Sequence, residues 1–130
     1  MAALLDTSVA ISLRDGDPPI IDRFARLDAR PFLSVVSRVE LEGGVYAKPA
    51  FMQQRRRALD VLLELLPQLD FDLEMAAVYG QIVARQGFSR RKIIDRMIAA
   101  TALVHDLTVI TLNKTDFADV PALKIDDWGG

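Results

Sequence analysis

An α/β fold, with a short and mainly parallel central sheet flanked by helices, is predicted by three observations. Short apolar runs recur at residues 2–5, 32–34 and 108–112, each of a length that suits a buried strand. Stretches in which apolar residues return at helical spacing separate them, the alternation expected of βαβ units. The first and last of these runs end on polar groups, Asp6-Thr7-Ser8 and Thr111-Leu112-Asn113, and open α/β sheets place their ligands at the carboxyl ends of strands.

The first run, Ala2 to Leu5, leads into Val9, Ala10, Ile11 and Leu13, spaced as a helix. Gly16-Asp17-Pro18-Pro19 is a loop, and Pro19 can open a second helix through about residue 29, with Ile20, Ile21, Phe24 and Leu27 as its apolar face. Residues 32–34 follow as a second strand. Residues 37–47 then read as a helix carrying Glu40, with Gly43 and Gly44 a turn beyond it. After Pro49, residues 51–66 form a long helix with Leu59, Leu62, Leu63 and Leu66, stopped by Pro67. Leu69-Asp70-Phe71 is a short strand. Asp72 caps a helix through about Gln86, closed by Gly87. A basic loop at residues 88–92 precedes an apolar helix over 94–105. Residues 108–112 are a strand of mostly β-branched residues. A turn around Asp116 and Phe117 leads to a last short strand at 123–125.

The chain has 130 residues, 51% of them hydrophobic and 26% charged. That suits one domain over residues 1–130 and argues against disorder. It contains no cysteine, which excludes disulfides, thiolate zinc sites and cysteine nucleophiles. With His105 its one histidine, any metal would be held mainly by oxygen, as suits Mg²⁺ or Mn²⁺. No apolar run approaches the roughly 20 residues of a membrane span. The N-terminus lacks the basic region and cleavage pattern of a signal peptide, so a cytoplasmic location is expected. The formal net charge of −2 argues against a broadly basic surface. Acids gathered in one cleft can nevertheless hide a basic rim.

Four acids are candidates for such a cleft, and each also has a plain structural role open to it. Asp6 can cap the helix that follows it. Glu40 stands three residues after Ser37, the spacing of a capping box, although Gly43 and Gly44 on its face would leave open space beside its carboxylate. Asp95 heads a helical face with Ile98, Ala99 and Ala102, where an unpaired carboxylate is costly; Arg91 or Arg96 could pair with it. Asp116 follows Asn113 in another cap-like spacing. Taken together, acids gathered at one sheet edge would repel one another, and a hard cation relieves that repulsion. Two basic clusters stand out, Arg55-Arg56-Arg57 and Arg90-Arg91-Lys92. The first suits a solvated helix face; the second, just before Asp95, suits phosphate contacts.

The segments Leu5-Asp6-Thr7-Ser8, Ser37-Arg38-Val39-Glu40-Leu41, Asp95-Arg96-Met97-Ile98-Ala99-Ala100-Thr101-Ala102 and Thr111-Leu112-Asn113-Lys114-Thr115-Asp116-Phe117 occur in an order and over a length that resemble the PIN-domain ribonucleases, specifically the VapC toxins of type II toxin–antitoxin pairs. The resemblance implies a PIN-like three-layer α/β/α sandwich, Mg²⁺ or Mn²⁺ as cofactor, and RNA as substrate. It also implies that Asp6 and Asp95 are the most regular metal ligands, with Glu40 and Asp116 completing the set. Thr7, Ser8, Thr111 and Asn113 would line the site, and Arg90, Arg91 and Lys92 would meet RNA. Many relatives carry arginine where this chain has Leu112, which removes a charge on the substrate side. A homodimer and a cognate antitoxin, whose tail fills the active groove, are implied as partners. The apolar residues of the 20–27 and 51–66 helices suit such contacts and suit a core equally.

Two other classes fit less well. A receiver-type signalling domain wants an acidic pair after its first strand, where this chain has Thr7 and Ser8. A haloacid-type phosphatase wants a second aspartate at the position of Ser8. A catalytically silent PIN-fold binding module is a third alternative.

Overall fold

The computed structural model describes residues 2–130. Five parallel strands form one sheet in the order β3-β2-β1-β4-β5: β1 (Ala3–Leu5), β2 (Phe32–Ser34), β3 (Gln68–Leu69), β4 (Thr108–Thr111) and β5 (Lys124–Asp127). Six helices connect them: α1 (Thr7–Arg14), α2 (Pro18–Ala25), α3 (Val35–Tyr46), α4 (Met52–Leu65), α5 (Leu73–Gln86) and α6 (Ile93–His105).

The period-two geometry of a strand divides the core. Ala3 and Leu5 of β1 and Ile110 of β4 pack with Val9, Leu41, Leu59 and Leu62 on the α1–α4 side. Leu4 and Val109 point the other way, onto Ile82, Ile98, Ala99 and Phe117 on the α5–α6 side. Both faces of the central strands are therefore buried, which explains why they read as unbroken apolar runs rather than alternating ones. Helices lie on either side of the sheet, giving three layers. None of the described helices is long and apolar enough to cross a membrane.

The chain runs outward through β2 and β3 on one side of β1, then crosses back to β4 and β5 on the other. The strand order thus reverses between β1 and its two neighbours. Such a switch point leaves a crevice at the carboxyl ends of the strands, and the polar ends of β1 and β4 meet there, with Asp6 N–H donating to the Ile110 carbonyl at 2.9 Å.

Several boundaries differ from the sequence-based expectation. The second helix stops at Ala25 rather than near residue 29, because the chain must turn before Pro31, whose ring disfavours helix at the residue preceding it. The third helix begins directly at the end of β2, capped by Ser34 Oγ, which accepts from Val36 N–H at 3.0 Å. Ser37 consequently lies inside the helix, and no capping box with Glu40 forms. A 3₁₀ turn, Pro49–Phe51, precedes α4. The third strand is Gln68–Leu69, so Asp70 and Phe71 lie beyond it. Arg90–Lys92 form a 3₁₀ turn instead of an open loop. The last strand is shifted one residue later, to Lys124–Asp127, by pairing with Thr108–Thr111.

Leu33 is fully buried in β2, paired beside Leu5 and Gln68. Leu33→Ala is expected to destabilise by about 2–5 kcal/mol through loss of apolar contact and the cavity left behind. Its melting temperature should fall by roughly 5–15 °C, as read by thermal unfolding.

Candidate active site

The end of β1 sets the first acid. Asp6 is the residue before α1, with extended backbone, and its Oδ1 accepts from Thr7 N–H at 2.8 Å, the expected cap. Capping accounts for one oxygen only. The other, Oδ2, accepts from Ser8 Oγ at 2.8 Å and from Thr111 Oγ1, across on β4, at 2.8 Å. Ser8 Oγ accepts in turn from Leu112 N–H at 3.2 Å, and Thr111 Oγ1 from Asn113 N–H at 2.9 Å. A buried carboxylate, 4% exposed, is thus fixed by donors from two strands' ends.

The first turn of α1 also reaches the second acid. Thr7 Oγ1 lies 2.7 Å from Glu40 Oε1 and 2.9 Å from Ser37 Oγ on α3. A threonine hydroxyl has one proton. It donates to the carboxylate and accepts from Ser37, forming a relay from α3 through α1 back to α3. Ser37 is fully buried. Its role was hidden in the sequence by a spacing that also fits a capping box. Gly43 does leave open space around itself, as expected. Gly44 serves a different purpose: a Cβ there would stand 2.9 Å from Arg14 Nη1, and its carbonyl accepts from Arg55 at 2.8 Å.

Asp95, in the first turn of α6, is strongly perturbed by its surroundings. Its carboxyl is raised from 3.8 to about 6, first by burial and then by the charges of Asp6, Asp116 and Glu40, with Arg91 acting in the opposite direction. The four acids therefore act on one another, although they come from four separate parts of the chain. Neither arginine offered by the sequence takes Asp95 as its partner. Arg96 binds Asp119 at 3.0 Å, and Arg91 lies 3.6 Å from Asp116. Asp116 closes a 3₁₀ turn, Lys114–Asp116, in which Asn113 gives no side-chain cap. Asn113 is exposed at the rim. His105 is exposed at the opposite end of α6 from Asp95, about 15 Å away along the axis at 1.5 Å per residue.

The strand order and the layered architecture agree with the comparisons to known proteins. Residues 3–123 match the family described as PIN domain. The chain belongs to the PIN-domain family. Its relatives place it with the VapC type. It is 31% identical over 130 residues to the tRNA(fMet)-specific endonuclease VapC of Salmonella typhimurium, covering 96% of each chain. It is 26% identical over 135 residues to ribonuclease VapC2 of Rickettsia felis, covering 98% of each. Among solved structures it resembles the DNA-bound VapBC of Salmonella typhimurium, at 29% identity and a TM-score of 0.84, covering 98% of this chain and 99% of that one. FitAcB of Neisseria gonorrhoeae is similar at 29% identity and a TM-score of 0.77, with the same coverage.

Within this PIN domain, no three acidic or histidine side chains among the described residues stand close enough together to enclose a metal ion by themselves. The donor set is nevertheless one that Mg²⁺ fits. It consists of carboxylate and hydroxyl oxygens only, and Mg²⁺ commonly keeps several waters and uses one or two carboxylates with substrate phosphates, not a closed protein cage. The basic clusters divide. Arg55 holds the Gly44 carbonyl, and Arg56 binds Glu42 at 2.6 Å and Asp60 at 2.7 Å, so most of the first cluster ties α4 to α3 or to itself. Arg90 and Arg91 are exposed and Arg91 lies beside Asp116, whereas Lys92 lies 3.7 Å from Asp119 and is largely covered.

Asp95 yields a pH prediction. Its folded pKa lies above the unfolded value, so in the window from about 4 to about 6 the folded protein holds a proton that the unfolded chain releases. Stability falls as pH rises through that window. Without divalent metal, Asp95→Asn should therefore be the more stable protein at pH 7.5. Allowing for the solvent that still reaches the group, the gain is about 1 kcal/mol. The difference should vanish below pH 4, as read by thermal melting of both proteins across the pH range.

Proposed function

We propose that this PIN domain is a divalent-metal-dependent endoribonuclease and acts as the toxin of a toxin–antitoxin pair. The observation that carries the reading is the mutual repulsion of Asp95 with Asp6, Asp116 and Glu40: among the described residues Asp95 forms no ion pair with an arginine, and its carboxyl is raised to about 6 despite the opposing charge of Arg91. Structural ion pairing would have removed that perturbation, and uncompensated acids of this sort cluster at functional sites. The relatives, a tRNA(fMet)-specific endonuclease and a ribonuclease, support the same class of reaction.

Asp6 and Asp95 would hold Mg²⁺ or Mn²⁺, with Glu40 and Asp116 completing the oxygen set through carboxylate or water. When bound, such a metal polarises a phosphate oxygen and lowers the pKa of water, the general service of a Lewis acid in phosphodiester cleavage. The chain's own residues orient and hold. Ser8, Thr111 and the Thr7 amide hold the Asp6 carboxylate in place. Ser37 and Thr7 aim Glu40. Arg90 and Arg91 would offer exposed charge to RNA phosphates, Arg91 from beside Asp116, while Asn113 is exposed after β4. Leu112 presents an apolar side chain where many relatives carry arginine, so phosphate contact falls to the α5–α6 side.

Asp6 is a poor candidate for a phosphate-accepting nucleophile, as receiver or phosphatase chemistry would require. Both of its oxygens are already hydrogen-bonded and the residue is buried. A silent binding module has no use for an unpaired acid that costs stability.

The partners proposed are a cognate antitoxin and a second copy of this chain. Support comes from the VapBC and FitAcB assemblies of its structural relatives and from apolar side chains left exposed on α1, α2 and α4 and the turn before it: Ile11, Ile21, Phe51, Met52 and Val61. The site of action would be the cytoplasm, where RNA and antitoxin are present together.

Purified protein incubated with total cellular RNA and Mn²⁺, followed by mapping of the cleaved ends, tests the activity. Asp6→Asn and Asp95→Asn should each lower cleavage by about 100-fold or more, the loss expected where a charge-stabilising group is removed. Cleavage by both variants at the wild-type level would refute the reading. Replacing Arg90 and Arg91 by alanine should weaken RNA binding and flatten the log–log salt slope by about 1.4 for a single strand, near 0.7 per lost phosphate contact.

A further inference from the structure

Arg96 is the most unusual side chain in the core. It is 4% exposed, and it extends from α6 to Asp119 with Nη2 3.0 Å from Oδ2. Its Nε and Nη1, together with Asp119 Oδ1, are buried without a hydrogen-bond partner. Lys92, the last residue of the 3₁₀ turn that leads into α6, also approaches Asp119 Oδ2, at 3.7 Å. A guanidinium buried with so few partners stabilises a fold no better than an apolar side chain of similar volume would. The segment it grips does not need it for burial either, since Phe117 is fully buried and Val120 nearly so.

The position of this pair is informative. Successive residues on a helix point about 100° apart, so Asp95 and Arg96 serve different neighbours: Asp95 the acid cluster, Arg96 the segment after β4. Asp119 lies three residues beyond Asp116 in that segment, and Asp116 itself hangs on a single 3₁₀ turn. We propose that the Arg96–Asp119 pair, backed by Lys92, is a positioning clamp that holds residues 113–120 against α6 and thereby sets where Asp116 stands relative to Asp95. Phe117 fixes how deep the segment sits; the directional ion pair fixes its register. The role assigned to Asp116 rests on the reading of the acids as metal ligands.

The test uses the full chain and two readouts. Arg96→Met preserves the bulk of the stem, and Asp119, about one-third exposed, keeps contact with water. The clamp predicts that amide hydrogen exchange at Asp116, Phe117 and Val120, which donate to Asn113, Lys114 and Phe117 carbonyls, quickens tenfold or more. Exchange at Asp6 and Trp128, bonded to β4 carbonyls, should stay unchanged. The positional role predicts that Mn²⁺ binding, followed by electron paramagnetic resonance, weakens about tenfold. Arg96→Lys should restore both readouts in part. Asp119→Asn, which keeps the hydrogen bond and removes the charge, should move both in the same direction by less, and serves alone if Arg96→Met does not fold.

Unchanged exchange in the 113–120 segment overturns the clamp. Faster exchange with unaltered Mn²⁺ affinity overturns the positional role. Wild-type protein whose Mn²⁺ binding is absent, or is indifferent to Asp6→Asn, overturns the reading of the acids and the positional role with it. The exchange readout needs no metal, so that failure is distinct from failure of the clamp.

Discussion

The carboxylate of Asp6, locked at the point where β1, β4 and the first turn of α1 meet, is the constraint on which the rest of the site depends. Three donors hold it at 2.8 Å each, and they come from a backbone amide, a neighbouring hydroxyl and a strand 105 residues away in sequence. The bonds satisfy a buried carboxylate and fasten β1 to β4 at the switch point. A negative charge is thereby fixed at the floor of the crevice, and every other acid must be placed against its field.

That field explains the distribution of positive charge. Most arginines that could neutralise the cluster are engaged elsewhere: Arg14 with Asp15, Arg55 with the Gly44 carbonyl, Arg56 with Glu42 and Asp60, Arg96 with Asp119. Arg91, exposed and 3.6 Å from Asp116, supplies a weak counter-charge at the rim. The result is a set of acids whose charges oppose one another, felt at Asp95 as a raised pKa. Natural proteins tolerate such local destabilisation where activity requires it, and a sheet with both faces packed provides the surplus.

Much of the architecture was legible because local signals agreed with the global fold. Phe32-Leu33-Ser34, Asp72 with Gly87, and the stretch ending at His105 behaved as their composition indicates, since strand, cap and helix are decided by near neighbours. Errors arose where two local readings were equally good. Ser37 and Glu40 have capping-box spacing, yet Ser34 lies one turn earlier at the true end of the strand and takes the cap. Arg96 stands beside Asp95 in sequence, yet adjacent helical positions face apart, and its partner, Asp119, lies 23 residues on. Lys92 belonged to a basic run, and only the approach of Asp119 separates it from its neighbours.

The sequence by itself therefore determined the element types, the apolar faces and the chemistry on offer: oxygen donors without cysteine, and acids at the ends of strands and the starts of helices. These follow from short-range periodicity and side-chain type. Tertiary structure alone decided which charge meets which. Ion pairing and hydrogen bonding are settled over a few ångströms in space between groups far apart in the chain, as with Thr111 and Asp6 or Thr7 and Glu40. For the same reason the crevice belongs to the strand order, not to any one segment, and Asp95 acquires its raised pKa only when the sheet and α6 close around it.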